Sequence, residues 1–330
     1  MTHPKDYREP LLEGAQEAGW DAEEPAGESA PESRETLAEP GWHGVRLDKA
    51  LTSLAPEFSR SYLQQLVEAG HASVDGRPVT SPSHRLRAGQ RVRIELVPTQ
   101  QSLAFRPEPV PFDIVHEDEH LYVVDKRAGL VVHPGAGNWS GTLLNGLLHR
   151  DPSSAGLPRA GIVHRLDKDT SGLMVVARSL QAVTALVRAI AAREVQREYL
   201  ALVHGDWPSA ERIDAPVGRD PVSRVRMAVV SGGRAARTDV EPLGQGGGAS
   251  ALRCVLHTGR THQIRVHVAY RGRPLLADTL YGGKPALGLT RQALHAHRLA
   301  FRHPASGEPM SFRSPLPADL AAAWDQVSGR

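Results

Sequence analysis

A polar segment between two apolar runs is the feature that most constrains how this chain can fold. One run ends at Val163, the next covers residues 172–177 (Gly-Leu-Met-Val-Val-Ala), and residues 164–171 between them (His-Arg-Leu-Asp-Lys-Asp-Thr-Ser) are mostly polar or charged. Short apolar runs bounded by polar residues predict buried strands joined by a connection. Such connections often carry functional side chains, so Asp167 in the middle of the segment is a candidate. Taken alone, Asp167 fits a salt-bridged turn better.

The C-terminal two thirds of the chain, residues 112–330, predict one α+β domain. Short β-rich runs lie at residues 121–124, 130–132, 173–176, 199–203 and 252–256, and helical patterns lie at residues 142–149, 181–192 and 317–327. These runs do not repeat as strand-helix units and include no glycine-rich phosphate loop. The pattern therefore predicts a mixed, mainly antiparallel sheet and not a doubly wound nucleotide-binding fold.

Three further segments are predicted before this domain. Residues 1–40 are rich in Glu, Ala, Pro, Gly and Ser with almost no periodic apolar pattern, which indicates a disordered acidic tail. Residues 42–97 predict a compact module with two short helices, the second capped by Ser59, and a hairpin at Asp75-Gly76. Residues 98–111 hold four prolines and predict an extended linker.

Charge and composition narrow the classes of function. Residues 1–40 carry 11 acidic and 3 basic side chains, so the rest of the chain is basic, with a net charge of about +10. A basic body suits a polyanionic partner such as RNA. The single cysteine, Cys254, excludes an internal disulfide framework. No apolar stretch approaches the ~20 residues of a membrane span, and the N-terminus lacks the apolar core of a secretion signal, so a cytoplasmic protein without membrane contact is expected.

Several segments together resemble the RluA/RluD family of pseudouridine synthases. In residues 161–173 the run His164-Arg165-Leu166-Asp167 matches the active-site motif of the family. Four further segments match its arrangement, at residues 125–138, 197–199, 259–267 and 276–283. Residues 130–138 and 291–296 look most similar to the RluD-type enzymes that act on large-subunit ribosomal RNA. The chain departs from the usual pattern at Ala277, Thr279 and Arg273, which bears on target fit more than on activity.

The N-terminal module is similar to the S4 RNA-binding module. The similar residues are Arg46-Leu47-Asp48-Lys49, Ser59-Arg60-Ser61 and the Val-Asp-Gly-Arg hairpin at residues 74–77. The resemblance implies a phosphate-contacting face formed by Arg46, Lys49, Arg60, Gln64 and Arg77. A charged mini-domain that merely docks on its neighbour is the alternative.

The family resemblance implies isomerisation of uridine to pseudouridine within RNA. Asp167 matches the catalytic aspartate, which acts either as a nucleophile at ribose C1′ or by stabilising a sugar intermediate. Arg265 is the first candidate for a guanidinium that keeps this carboxylate ionised, and Arg260 is the second. The target base must leave its stack, so Arg165 is expected to fill the gap. Tyr199 is expected to stack on the uracil and Ile264 to lie beneath it, although both also fit plain core positions.

Neither a cofactor nor a metal ion is expected. His164, His262 and His267 fit no zinc spacing, and histidines at such positions are expected to hydrogen-bond the active-site backbone or RNA phosphates. Two alternatives to a ribosomal RNA enzyme stay open, namely a transfer RNA pseudouridine synthase and a non-catalytic RNA-binding factor in ribosome assembly. A metal-dependent nuclease would need clustered acidic ligands, which the sequence lacks. A monomer is expected.

Overall fold

The computed structural model describes residues 32–97, 104–135, 137–223 and 225–329. It divides into two compact units, Met1–Thr99 and Gln100–Arg330. In the described part, no helix is both long and apolar enough to cross a lipid bilayer.

The N-terminal unit packs two short helices on a four-stranded antiparallel sheet. The helices are α1 (Leu47–Leu54) and α2 (Arg60–Glu68); the strands are β1 (Glu32–Leu37), β2 (Ala72–Val74), β3 (Arg77–Pro78) and β4 (Arg91–Leu96), in the order β1-β4-β2-β3. Ser59 accepts a hydrogen bond from the Tyr62 amide at 3.2 Å, which confirms it as the cap of α2. Asp75 and Gly76 have φ values of 50° and 75°, the left-handed pair that a tight hairpin between β2 and β3 requires.

The prediction that residues 1–40 are a disordered tail is wrong for its last part. Residues 1–31 lie outside the described residues, but Glu32–Leu37 forms β1 and pairs along its whole length with β4. The strand is polar because it is an edge strand, held by backbone hydrogen bonds and by the ion pairs of Arg34 with Glu32 and Glu57. Stabilisation of this kind leaves no apolar periodicity in the sequence.

The C-terminal unit is built on a nine-stranded sheet. Its strands are β5 (Asp113–Glu117), β6 (Leu121–Lys126), β7 (Ser171–Ala177), β8 (Gln196–His204), β9 (Glu211–Asp214), β12 (Arg237–Gly246), β13 (Ala249–Leu256), β14 (Leu294–Arg302) and β15 (Pro309–Arg313). The order is β5-β6-β7-β14-β8-β13-β12-β9, with β15 on β14; β10 (Val217–Arg219) and β11 (Met227–Val229) form a separate hairpin. The β7–β14 pair is parallel and all other pairs are antiparallel, which confirms the mixed, mainly antiparallel sheet.

Four helices cover this sheet: α3 (Leu143–Arg150), α4 (Leu180–Ala191), α5 (Gln263–Tyr270) and α6 (Ala318–Ser328). The side chains of β6 alternate between two clusters: Val123 packs with Leu186 of α4, whereas Val124 packs with Leu147 of α3. Because both faces of the strand are buried, β6 and β7 have continuous apolar sequences.

Two short segments differ from the sequence-based expectations. The predicted strand at residues 130–132 is absent, because the carbonyl oxygens of Val131 and Val132 accept hydrogen bonds from the first amides of α3 instead of from a neighbouring strand. Residues 104–111 of the predicted linker are anchored to the C-terminal unit. Asn145 donates to the carbonyl oxygens of Ala104 and Arg106 at 3.1 and 2.8 Å. Residues 98–103 lie outside the described residues.

Candidate active site

A cavity of about 340 Å³ opens where the polar segment before β7 meets β8 and the start of α5. Its walls include residues 163–167, Arg197 and Tyr199 of β8, and residues 256–265. Gly172 makes this arrangement possible: its φ is 110°, and a β-carbon there would lie 2.3 Å from the carbonyl oxygen of Ala296 on β14. The polar segment can therefore approach the centre of the sheet only because a glycine follows it.

Asp167 lies in this cavity and is paired with Arg265. One guanidinium nitrogen of Arg265 donates to Oδ2 of Asp167 at 3.1 Å, while the other two donate to the buried carboxylate of Asp278 at 2.7 and 2.8 Å. Asp278 thus fixes the plane of the guanidinium and aims its free edge at Asp167. Burial alone would lower the pKa of Arg265, but the hydrogen bonds that it donates to Asp278 and the charge of Asp167 raise it above its usual value. Arg265 thus lies where the sequence predicts a partner for Asp167.

His262 is a neighbour of Asp167 that the sequence did not single out for this position. Its Nε2 lies 3.8 Å from Oδ1 of Asp167, and its Nδ1 lies 2.8 Å from the hydroxyl of Tyr281, which accepts the Met227 amide at 3.0 Å. Burial lowers the pKa of His262, so the neutral ring prevails at pH 7. A hydroxyl that donates to Nδ1 places the remaining ring proton on Nε2, toward Asp167. The sequence did contain a signal for this position, because His262 lies in the motif at residues 259–267, between Arg260 and Arg265 and immediately before α5.

Tyr199 and Ile264 supply the less polar part of the cavity wall. Tyr199 is 6% exposed and Ile264 is 3% exposed. Burial raises the pKa of Tyr199 to about 12, so its hydroxyl stays protonated at neutral pH. The ring is therefore suited to stacking or hydrogen bonding and unsuited to service as a phenolate base.

Arg165 and Arg260 line the same cavity but do not pair with Asp167. Arg165 is exposed, as a side chain that reaches into RNA would have to be. The Nε of Arg260 donates to the carbonyl oxygen of Ala235 at 3.1 Å, and its backbone amide donates to Gln263 at 3.0 Å. These bonds hold Arg260 beside the cavity, so the alternative that Arg260 pairs with Asp167 is wrong for this structure.

Lys126, at the end of β6, anchors the polar segment. Its buried ammonium donates to the carbonyl oxygens of Arg127, Leu130 and Lys168 at 3.0, 2.9 and 2.9 Å. Burial lowers the pKa of Lys126 to about 7, against the charges of Asp169 and Asp167, which raise it. Three accepting carbonyls match the three protons of the charged form. The sequence signal was a lysine at the end of a strand whose first four residues are apolar.

The other two histidines weighed as zinc ligands, His164 and His267, form hydrogen bonds within the fold. Nε2 of His164 accepts the Val175 amide of β7 at 3.1 Å, and His267 lies between the Thr238 hydroxyl at 2.9 Å and the Ala215 carbonyl oxygen at 3.0 Å. His164 therefore meets the expectation of hydrogen bonding to the active-site backbone. No group of three or more metal-ligating side chains occurs within the described ranges.

In the N-terminal unit, three of the five predicted phosphate-contacting residues converge on one carboxylate. Asp48 is fully buried and accepts from Arg46 at 3.0 and 3.2 Å, from Arg60 at 3.1 and 2.8 Å, and from Gln64. These hydrogen bonds hold the pKa of Asp48 well below its usual range despite burial. Lys49 and Arg77 are exposed. Asp48 thus orients two half-exposed guanidinium groups, an arrangement that suits the binding of an anion.

Comparisons with known proteins identify the domains and the relatives of this chain. Residues 120–270 match the model of the RNA pseudouridylate synthase family, and residues 45–92 match that of the S4 domain. A protein of Xanthomonas campestris pv. campestris named ribosomal large subunit pseudouridine synthase D is 49% identical over 290 residues, 84% of this chain and 87% of that protein. A protein of the same name from Neisseria meningitidis serogroup B is 48% identical, over 84% of this chain and 77% of that protein.

Solved structures give the same result for the fold. The human RNA pseudouridylate synthase domain containing 1 protein matches with a TM-score of 0.52 and 28% identity, over 65% of this chain and 89% of that one. The identity, coverage and domain content confirm the resemblance drawn from residues 161–173 and the S4-like motifs. The chain therefore belongs to the RNA pseudouridine synthase family, with an S4 domain ahead of its synthase domain.

Proposed function

We propose that this enzyme isomerises specific uridines to pseudouridine in large-subunit ribosomal RNA, with Asp167 as the catalytic residue. The observation that carries the proposal is the Asp167 carboxylate held in the cavity by Arg265, whose other edge is fixed by Asp278. A carboxylate so placed is within reach of a sugar carbon that enters the cavity. The names of the similar proteins, together with the S4 domain, support ribosomal RNA as the substrate.

The proposed reaction breaks the bond between ribose C1′ and uracil N1 and forms a bond between C1′ and C5. One proton leaves C5 and one proton is gained at N1, so the product is an isomer and no redox partner is needed. Asp167 serves as a nucleophile at C1′ or as the base that acts on a sugar intermediate, and both routes use the carboxylate that Arg265 holds in the cavity. Because the phenol of Tyr199 stays protonated, we assign Tyr199 to stacking on the base, above the apolar side chain of Ile264.

Entry of the base requires flipping of the nucleotide out of its stack. We assign Arg165, exposed at the cavity, to filling the gap in the RNA, and Arg260 to the cavity wall beside the base. The S4 domain is assigned to RNA phosphates through Arg46, Lys49, Arg60, Gln64 and Arg77. We place the enzyme in the cytoplasm, where ribosomes are made, as a monomer that works without a cofactor.

Pseudouridine mapping tests this proposal. Ribosomal and transfer RNA from cells that lack the gene are labelled with carbodiimide, before and after complementation with the wild-type gene or with the Asp167→Asn variant. We expect discrete uridines of the large-subunit RNA to lose modification and only the wild type to restore it. Loss of modification in transfer RNA alone would move the substrate to that class. No change at any site would favour a binding factor without catalysis.

A further inference from the structure

Arg197 lies in the wall of the candidate active site and is a buried cation without a counter-ion among the described residues. It is 5% exposed and lies on β8 two residues before Tyr199, on the same face of the strand, and both residues line the cavity. In the part of the chain that the structure describes, no group forms a hydrogen bond or an ion pair with its guanidinium, and its Nε is a fully buried donor without an acceptor. Arg265, buried to the same degree, is by contrast shared between two carboxylates.

The cavity beside Arg197 has space for an anion, and the residues around the guanidinium do not fill that place. Gly259 faces the guanidinium, and a β-carbon at that position would lie 2.9 Å from the NH1 nitrogen. His164 stays neutral, because burial and the charge of Arg197 lower its pKa to about 3. Asp167 is engaged by Arg265. Within the ranges that the structure describes, no group therefore compensates the buried charge of Arg197, and an uncompensated buried charge calls for a ligand.

We propose that Arg197 binds a backbone phosphate of the RNA beside the uridine that enters the cavity. The proposal rests on the proposed function, since it names how that site holds its substrate. A guanidinium presents two parallel donors that match two phosphate oxygens, and a phosphate supplies the full negative charge that a uracil carbonyl lacks. A nucleotide that flips into the cavity brings its own phosphates with it. Arg193, exposed on the same wall of the cavity, extends the positive surface toward solvent.

Phosphate ethylation interference on a transcript of large-subunit ribosomal RNA tests the contact. The transcript is sparsely ethylated, bound by the full-length enzyme and mapped for phosphates whose ethylation prevents binding. We expect Arg197→Met to weaken binding on the order of 10- to 100-fold and to abolish the interference at one or two phosphates while leaving the others unchanged. Arg197→Lys should keep part of both effects. Arg212→Gln, which removes an exposed arginine outside the cavity, is the matched control and should change neither.

Thermal unfolding separates this function from a structural role. Removing an uncompensated buried charge should leave the melting temperature of Arg197→Met equal to or above that of the wild type. Gly259→Ala is a second variant, which keeps the charge but places a methyl group against NH1. It should weaken interference at the same phosphates in a protein that melts normally.

Weaker binding without loss of interference at any phosphate would overturn the proposal, because the contact would then be to the base or act through the fold. A lower melting temperature in Arg197→Met together with unchanged RNA binding by Gly259→Ala would also overturn the proposal, because the role of Arg197 would then be structural. Interference is read from binding alone. A wild-type enzyme that forms no pseudouridine would therefore refute the proposed reaction and leave the result on Arg197 readable.

Discussion

Arg265 shows how a single side chain can hold a reactive carboxylate in position. Two of its nitrogens are committed to Asp278, so the third reaches Asp167 at a fixed angle and at 3.1 Å. One guanidinium is thus shared by two carboxylates, so Asp167 has no cation of its own among the described residues. A carboxylate that shares its cation in this way is available to carbon and repels phosphate, so the part of the cavity beside Asp167 favours the sugar over the backbone.

Asp167→Asn tests the role of this carboxylate. The amide keeps the size of the side chain but cannot act as a nucleophile or as a base, so pseudouridine formation should fall by at least about 10³-fold. RNA affinity should stay within a few-fold of the wild type, because the change removes a negative charge from a site that binds a polyanion. Single-turnover pseudouridine formation and filter binding on the same RNA measure the two quantities.

Asp169→Asn is the control for Asp167→Asn, since it removes the same charge from the same segment two residues away. We expect it to keep turnover within a few-fold of the wild type. Equal losses in the two variants would show that the effect is one of general charge, and turnover by Asp167→Asn would refute the assignment.

At the scale of elements, the position of Asp167 depends on the bond between β6 and the polar segment. Lys126 joins the end of β6 to the carbonyl oxygen of Lys168, next to Asp167. Lys126→Met keeps the length of the side chain but leaves the carbonyl oxygens of Arg127 and Leu130 without a donor, and that of Lys168 with the Gly129 amide alone. The free energy of unfolding should therefore fall by about 1–3 kcal/mol. Turnover should fall as well, because the segment would no longer be held at one distance from Arg265.

Hydrogen exchange and urea unfolding measure the effect of Lys126→Met. The amides of Gly129 and Thr170, which bond within this segment, should exchange faster than in the wild type. Lys168→Met is the control, because its carbonyl oxygen remains available to Lys126 while its exposed side chain changes. A stable Lys126→Met variant with normal turnover would contradict the anchoring role.

The sequence predicted those elements whose side chains follow the apolar pattern of a buried strand or helix. The strands at β6, β7, β8 and β13 are apolar because the sheet buries them, and α4 shows the helical spacing of Val183 and Leu186. In contrast, β1 is held by backbone pairing, and Leu130–Val132 bonds to a helix start instead of to a strand. The short helix α5 was missed because its buried face includes the polar side chains of Gln263, Arg265 and His267.

Motifs in the sequence identified residues of the site but not the contacts between them. Asp167 and Arg265 were identified through family motifs, although 98 residues separate them and no periodicity links them. Asp278 and Tyr281 lie in a motif that the sequence analysis quoted, but their bonds to Arg265 and His262 depend on how α5 packs in three dimensions. Arg197 was part of a motif as well, and its lack of a partner is a property of the folded chain alone.

At the scale of the whole molecule, RNA affinity should depend on both units, since each carries arginines that a carboxylate orients. Arg46→Gln together with Arg60→Gln removes two guanidinium groups from the Asp48 cluster in the S4 domain. The slope of log affinity against log salt should become shallower by about 2, because each phosphate contact contributes close to 0.9. Filter binding between about 50 and 200 mM salt measures this slope.

Arg91→Gln is the control for the double variant. Arg91 is an exposed arginine of the same unit, paired with Glu35 on the sheet and outside the Asp48 cluster. An unchanged slope in the double variant, or an equal change in Arg91→Gln, would mean that the cluster does not contact phosphate.

Acid stability is the last property of the whole molecule that the structure determines, because half-buried histidines of the C-terminal unit are held in the neutral form. Burial lowers the pKa of His164 to about 3 and that of His133 to about 4. Between pH 6.5 and these values the unfolded chain binds protons that the folded chain does not. The contribution of the two neutral histidines to the free energy of unfolding is therefore fully present above pH 6.5 and is lost as the pH falls below it. For His164 the loss amounts to about 2 kcal/mol at pH 5.

His164→Gln should reduce this sensitivity to acid. Glutamine does not titrate, and its carbonyl oxygen is able to accept the Val175 amide that Nε2 of His164 accepts in the wild type. The variant should be less stable than the wild type at pH 7.5, because the fit of the ring is lost, but its urea midpoint should change less between pH 7.5 and 5. Equal pH dependence in the two proteins would mean that His164 becomes protonated in the folded state, and the bond to Val175 would then have to break at a pH where the enzyme is still folded.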